Sequence, residues 1–227
     1  MCFSASVSFG AGAVLAVGGI LTLNRVKTSS QYVFATIPMF FAIQQFTEGM
    51  VWLSLSNPNF SAWEPGATIL FLFFAQVVWP VWVPLSILLL EQNATRKKIL
   101  AVLLGMGALL SLYLAYCLIT YPVKAQISSY HIDYSLSFPL ALVWLSGLFY
   151  FIPTVISPLL SGRKRVPLLG LAIMASYFFT KIFYTNYVIS VWCFFAAIIS
   201  IIVLFIITEM NKTPVETMAT GILPKIV

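Results

Sequence analysis

Long apolar runs alternate with short polar clusters along this chain, and the runs are of bilayer length. A hydrocarbon core takes about 20 apolar residues per helix. The pattern predicts seven spans, at roughly 7–24, 33–55, 66–90, 98–120, 138–160, 166–183 and 187–208. Tyr177, Thr180 and Lys181 thin the sixth run, so six spans also fit. No basic residue precedes the first run, and Arg25 and Lys27 follow it. A cleaved leader is therefore not expected.

Between the fourth and fifth runs the period changes. From Val123 to Tyr134 apolar and polar residues alternate on both sides of Ser128-Ser129. A period of two around a small polar turn predicts a short β-hairpin over 123–134, with a solvated loop as the other reading. Proline marks the third run at Trp79-Pro80-Val81-Trp82-Val83-Pro84. Each proline removes a backbone donor and frees a carbonyl. In a membrane this is tolerated where a neighbour or a cavity satisfies the freed group; the plainer reading is a kink that shapes packing.

Composition gives the same class. Only 8% of the 227 residues are charged and 61% are hydrophobic, against about 25% charged in a soluble domain. Lipid must cover much of such a surface. No linker or second composition regime interrupts the chain. The expected fold is an all-α integral membrane protein, one seven-helix domain over 1–210 with a flexible cytoplasmic tail at 211–227.

Charge then sets orientation. Of twelve Lys and Arg, eight fall in the connections after spans 1, 3 and 5: Arg25, Lys27, Arg96, Lys97, Lys98, Arg163, Lys164 and Arg165. Positive loops stay inside, so the N-terminus is expected outside and the C-terminus inside. The net charge of +6 reads as topological charge meeting anionic headgroups, not as a nucleic-acid surface.

The candidate chemistry follows from that orientation. Glu48 lies within the second run, where an ionisable group costs about 2.5–3.5 kcal/mol on insertion scales. Such a residue faces a cavity, is paired, or does chemistry. Gln44 and Glu48 share a helical face with Trp52 a turn further on, where it would anchor at the interface. Gly49 would let another helix approach. Gln76 falls near mid-membrane in the third run. On the expected topology Cys2, Cys117, His131, Asp133, Trp192 and Cys193 gather with Glu48 on the outer side. Span 7 lacks a lysine, which excludes a retinal site.

Three chemistries remain open. Cys2, His131 and Cys193 are ligand types for a transition metal, Cu or Zn, although no CxxC or HxxxH spacing supports one. A Cys2–Cys193 disulfide on an oxidising outer side competes with it, as do plain buried thiols. A membrane-embedded enzyme or metal-dependent redox protein would use Cys2, Glu48, His131 and Cys193. The favoured function is binding, sensing or transport of a small solute or ion in a polar outer cavity, with Glu48 central, Gln44, Gln76 and Trp192 lining it, and His131 and Asp133 over its mouth. Long apolar faces also leave room for a homo-oligomer.

Five segments carry a resemblance over most of the chain: Met1-Cys2-Phe3-Ser4-Ala5-Ser6-Val7-Ser8-Phe9, Gln44-Gln45-Phe46-Thr47-Glu48-Gly49-Met50-Val51-Trp52, Trp79-Pro80-Val81-Trp82-Val83-Pro84, His131-Ile132-Asp133-Tyr134 and Ser190-Val191-Trp192-Cys193-Phe194-Phe195-Ala196-Ala197. In these the chain resembles an uncharacterised family of bacterial multi-pass membrane proteins, a domain of unknown function. The resemblance implies a bacterial inner-membrane location and brings no activity. It also implies that Cys2, Glu48, His131 and Cys193 belong to one constellation.

Overall fold

The computed structural model describes residues 4–128, 130–139, 147–183, 189 and 195–212. They are mostly helical. Helix α1 is Ala5–Leu23, α2 is Tyr32–Ala35, α3 is Ile37–Ser56 and α4 is Glu64–Leu72. A π-helical segment, Phe73–Val78, joins α4 to α5, Trp79–Leu90. Helix α6 is Ala94–Thr120. After strands β1 (Val123–Ser128) and β2 (His131–Leu136) come α7 (Gly147–Leu160), α8 (Val166–Phe183) and α9 (Ala196–Met210).

Local chemistry explains the boundaries. The Ser4 side chain caps α1 by accepting from the Val7 N–H, and Asn93 caps α6 by accepting from Arg96. The second predicted span is broken at Thr36, because Pro38 restricts the residue before it and cannot donate into a continuous helix. Trp82 closes the break: its indole N–H reaches the Val33 carbonyl at 3.1 Å and the Thr36 hydroxyl at 3.0 Å.

Among the described residues four helical stretches are long and apolar enough to cross a membrane: Ala5–Leu23, Pro58–Leu90, Ala94–Thr120 and Val166–Phe183. Gly147–Leu160 and Ala196–Met210 are apolar but shorter. They fall within the fifth and seventh predicted runs, parts of which lie outside the described residues. Helix α3 has 20 residues, and Gln44, Gln45, Thr47 and Glu48 lower its hydropathy. Those four polar residues are buried, since α1, α4 and α9 pack around α3. The apolar surface lies on the outer helices instead, as at Val102 (70% exposed) and Ile119 (87% exposed). Such faces suit lipid.

The two strands pair antiparallel, in the register Ser128↔His131 to Val123↔Leu136. The expected hairpin is present and extends to Leu136. Paired residues share a face, so Val123, Ala125, Ile127, Ile132, Tyr134 and Leu136 form one side, and Lys124, Gln126, Ser128, His131, Asp133 and Ser135 the other. The apolar side packs against α3 and α4, where Ile132 is fully buried and Tyr134 stacks on Phe71 at 4.9 Å. Trp52 belongs to this cluster. It is 5% exposed, so it is covered by the hairpin's packing and does not anchor at an interface.

Close helix crossings depend on glycine. The Phe9 ring of α1 fills the space beside Gly49, where a Cβ would meet it at 2.8 Å. A Cβ on Gly107 of α6 would collide with the Pro80 carbonyl and touch Pro153 of α7. Gly107→Ala should lower stability by about 1–3 kcal/mol through overpacking. Gly105→Ala, whose Cβ meets open space, should be neutral or stabilising by about 0.5–1 kcal/mol. Thermal unfolding of the two variants checks the opposite signs.

Candidate functional site

The proline-interrupted helices meet at the centre of the bundle. The π segment 73–78 precedes Pro80 in α5, and a second, Ile152–Ile156, precedes Pro158 in α7. Backbone carbonyls in and beside these segments accept from side-chain hydroxyls. The Ser111 hydroxyl of α6 donates to the Val77 carbonyl at 2.7 Å. The Tyr150 hydroxyl of α7 donates to the Ala75 carbonyl at 2.7 Å. Thr154 returns its hydroxyl to the Tyr150 carbonyl, also at 2.7 Å.

Beside these bonds lies a cavity of about 350 Å³. Its walls come from α3 (Ile37, Phe41, Gln44), the first π segment (Ala75, Gln76), α5 (Trp79, Val83), α6 (Leu114), α7 (Gly147, Tyr150, Thr154), α8 (Leu169, Ile173, Tyr177) and α9 (Ile199), with Ile189. The lining is mainly apolar. Gln44 is fixed through its side-chain oxygen, which accepts from the Trp79 indole N–H at 2.9 Å. Trp79 in turn stacks on Phe41, with ring centres 4.1 Å apart. The Gln76 Oε1 is buried and, among the described residues, has no hydrogen-bond partner.

The predicted residues distribute as follows. Gln44 and Gln76 line the cavity together. Glu48 is fully buried one turn beyond Gln44 and accepts from Gln45 Nε2 at 3.1 Å. It is not among the lining residues, which lie on the Ile37 side of α3, away from the hairpin. His131 and Asp133 sit on the polar face of the hairpin, opposite its packed side. The Asp133 carboxylate accepts from Gln126 Nε2 across the strands at 3.0 Å. Cys117 is a buried thiol in α6, outside any disulfide. Cys2, Trp192 and Cys193 lie outside the described residues, and with them the Cys2–Cys193 disulfide and the Cys2–His131–Cys193 metal set. Among the described residues no three His, Cys, Asp or Glu side chains come together as metal ligands.

One acid was not singled out by the sequence. Glu91, 4% exposed, ties two connections together. Its Oε1 accepts from the N–H groups of Gln92 (2.9 Å) and Asn93 (3.0 Å), and its Oε2 from Gly162 at 2.7 Å. Arg163 adds a bond from Nε to the Leu90 carbonyl at 2.8 Å. Burial pushes the Glu91 pKa up, but the Asn93, Gly162 and Gln92 N–H groups and the nearby Arg96 charge outweigh it, so the carboxyl is held below its ordinary value. Near the same loop Arg165 takes φ 70°, lies 3.6 Å from the Glu209 carboxylate and rests over Phe205.

These helices mark the chain as a membrane protein, mostly helical, with one small hairpin. A family of unknown function, DUF6629, matches residues 1–219, and the chain belongs to it. No curated protein and no solved structure matches.

Two outcomes follow from the loop and hairpin acids and bases. Glu91→Ala leaves three backbone N–H groups without their carboxylate, a loss of about 1.5–3 kcal/mol for a charged hydrogen bond. Tryptic cleavage at Arg163-Lys164-Arg165 should accelerate several-fold over the parent chain. For His131, burial holds the pKa below 6.5. The unfolded hairpin then binds protons first, so the stability contributed by the neutral imidazole is complete above pH 6.5 and is lost as pH falls through the depressed value. Hairpin amide protection factors, taken relative to the intrinsic exchange rate at each pH, should fall between pH 7.5 and pH 5, by about 1.4 kcal/mol per unit of pKa shift, and His131→Asn should flatten that dependence.

Proposed function

We propose that this protein binds a small, largely apolar solute inside the bilayer, in the cavity between α3, α5, α7 and α8. The observation that carries the reading is the cavity itself, about 350 Å³ and walled by six helices and a π segment. Ligand sites run from roughly 300 to 1,000 Å³ and combine apolar walls with a few placed polar groups. Gln44 and Gln76 are such groups here. The π segments support the same reading, because irregular backbone at membrane depth is tolerated where it is buried in protein or lines a cavity, and π-bulges cluster at functional sites.

The bundle we propose around it has seven spans, with the N-terminus outside and the hairpin over the outer end, in a bacterial plasma membrane. The basic connections that hold Arg25, Lys27, Arg96 to Lys98 and Arg163 to Arg165 support that orientation. On it Glu48 lies between the cavity and the hairpin. Sensing or moving the solute would build on this binding step.

Ile173 projects from α8 into the cavity lining. Protein purified in its native lipids should carry a stoichiometric small molecule detectable by native mass spectrometry, and Ile173→Trp should remove it while the variant stays folded by circular dichroism. A parent chain that carries nothing, or a variant that carries as much as the parent, overturns the binding reading.

A further inference from the structure

The lining limits the chemistry of the occupant, and this inference rests on the binding reading above. Among the described residues that line the cavity there is no Asp, Glu, Lys, Arg or His. A charged ligand would lose its hydration there and meet no opposite charge, which costs several kcal/mol even after relaxation. The occupant is therefore neutral.

The polar groups on the wall differ in what they have left to offer. The Gln44 oxygen is engaged by Trp79, the Tyr150 hydroxyl donates to Ala75, and the Thr154 hydroxyl donates to Tyr150. Gln76 is different. Among the described residues its buried Oε1 bonds to nothing, although the carbonyls on either side of it, Ala75 and Val77, both accept from hydroxyls of other helices. An unmet carboxamide in an apolar interior costs about 1–3 kcal/mol. Turning the carboxamide about its terminal bond brings its oxygen or its nitrogen to the cavity, and a ligand hydroxyl meets either, since a hydroxyl both donates and accepts. Flat walls stand beside it: the Phe41–Trp79 stack and the rings of Tyr150 and Tyr177.

We propose that Gln76 is the specificity-determining residue of the cavity and that it selects a neutral, ring-bearing hydrophobic alcohol or phenol through its carboxamide. The apolar walls hold the ring, and Gln76 reads the hydroxyl. Selectivity resides in the polar contact, because apolar walls alone discriminate weakly between molecules of one size while an unmet polar group discriminates strongly.

The pair 1-naphthol and 1-methylnaphthalene separates the two contributions, since they share a ring system and exchange a hydroxyl for a methyl. The full chain in nanodiscs is dialysed against each probe, with empty nanodiscs subtracting partition into lipid. The parent should favour 1-naphthol by about tenfold, the factor that 1.4 kcal/mol makes. Gln76→Met should erase that preference and keep the affinity for 1-methylnaphthalene, which also shows that the variant folds. Gln76→Asn, which retains a shorter carboxamide, should fall between them and serves as the test if the Met variant does not fold. Binding of both probes by the parent with no hydroxyl preference, or a preference unchanged in both variants, overturns the role of Gln76 and leaves the cavity reading standing. Binding of neither probe by the parent overturns both.

Discussion

A peptide carbonyl deprived of its helical partner has no water to turn to within a bilayer, and this molecule is organised around meeting that constraint. Pro80 and Pro158 each lie just beyond a π segment, so two helices carry irregular backbone. Donors to the first segment come from other helices. Ser111 brings α6 to Val77, and Tyr150 brings α7 to Ala75. Gly107 permits the first of these approaches, because the Pro80 backbone lies where a side chain would begin. The prolines therefore act less as hinges than as points that specify which helices must touch.

Helix α3 meets the same constraint with side chains. An amide and an acid in its middle would be expensive if they faced lipid. Instead the bundle encloses them, with Gln44 held by Trp79 and Glu48 by Gln45. These pairs divide the helix in two. Toward Ile37 it lines the cavity, and toward Ser56 it packs under the hairpin with Val51 and Trp52. Glu48 sits at the division.

Much of this was written in local pattern. The alternation from Val123 to Tyr134 encodes the hairpin, and the same alternation sends His131 and Asp133 to the face away from the packed core. The polar cluster around Glu48 marks an enclosed helix, and the prolines mark the irregular backbone. The resemblance to an uncharacterised family agrees with the family match over residues 1–219. What was not legible depends on partners far apart in sequence. Glu91 reads as an ordinary acid beside a basic cluster, yet one of its donors, Gly162, is 71 residues away. Tyr150 reads as one more aromatic until its bond to Ala75, 75 residues away, is seen. Trp52 resembles an interfacial anchor because hydropathy does not reveal that a hairpin packs over it. Helical spacing likewise groups Gln44 with Glu48, but only packing shows that Gln44 borders the cavity.

The position of that space has a physical origin. A π turn carries one extra residue, so the faces before and after it no longer follow a single helical stripe. Residues of α4 that pack against α3 and the hairpin, such as Phe71 and Leu72, and residues of α5 that pack against α6 and α7, such as Val83 and Ile87, cannot share one continuous interface. The mismatch must be absorbed between them, at residues 73–78, and two of the lining residues, Ala75 and Gln76, belong to that segment. A second π segment in α7 widens the same gap from the opposite wall, where Thr154 lines it. Void volume in a packed interior forfeits contacts on every wall, so such a gap persists where rigid bonds prevent collapse. Those bonds include the ones that Ser111 and Tyr150 make to the first π segment. The cavity and the network that supports its walls thus arise from the same proline-bearing segments, and neither can be removed without disturbing the other.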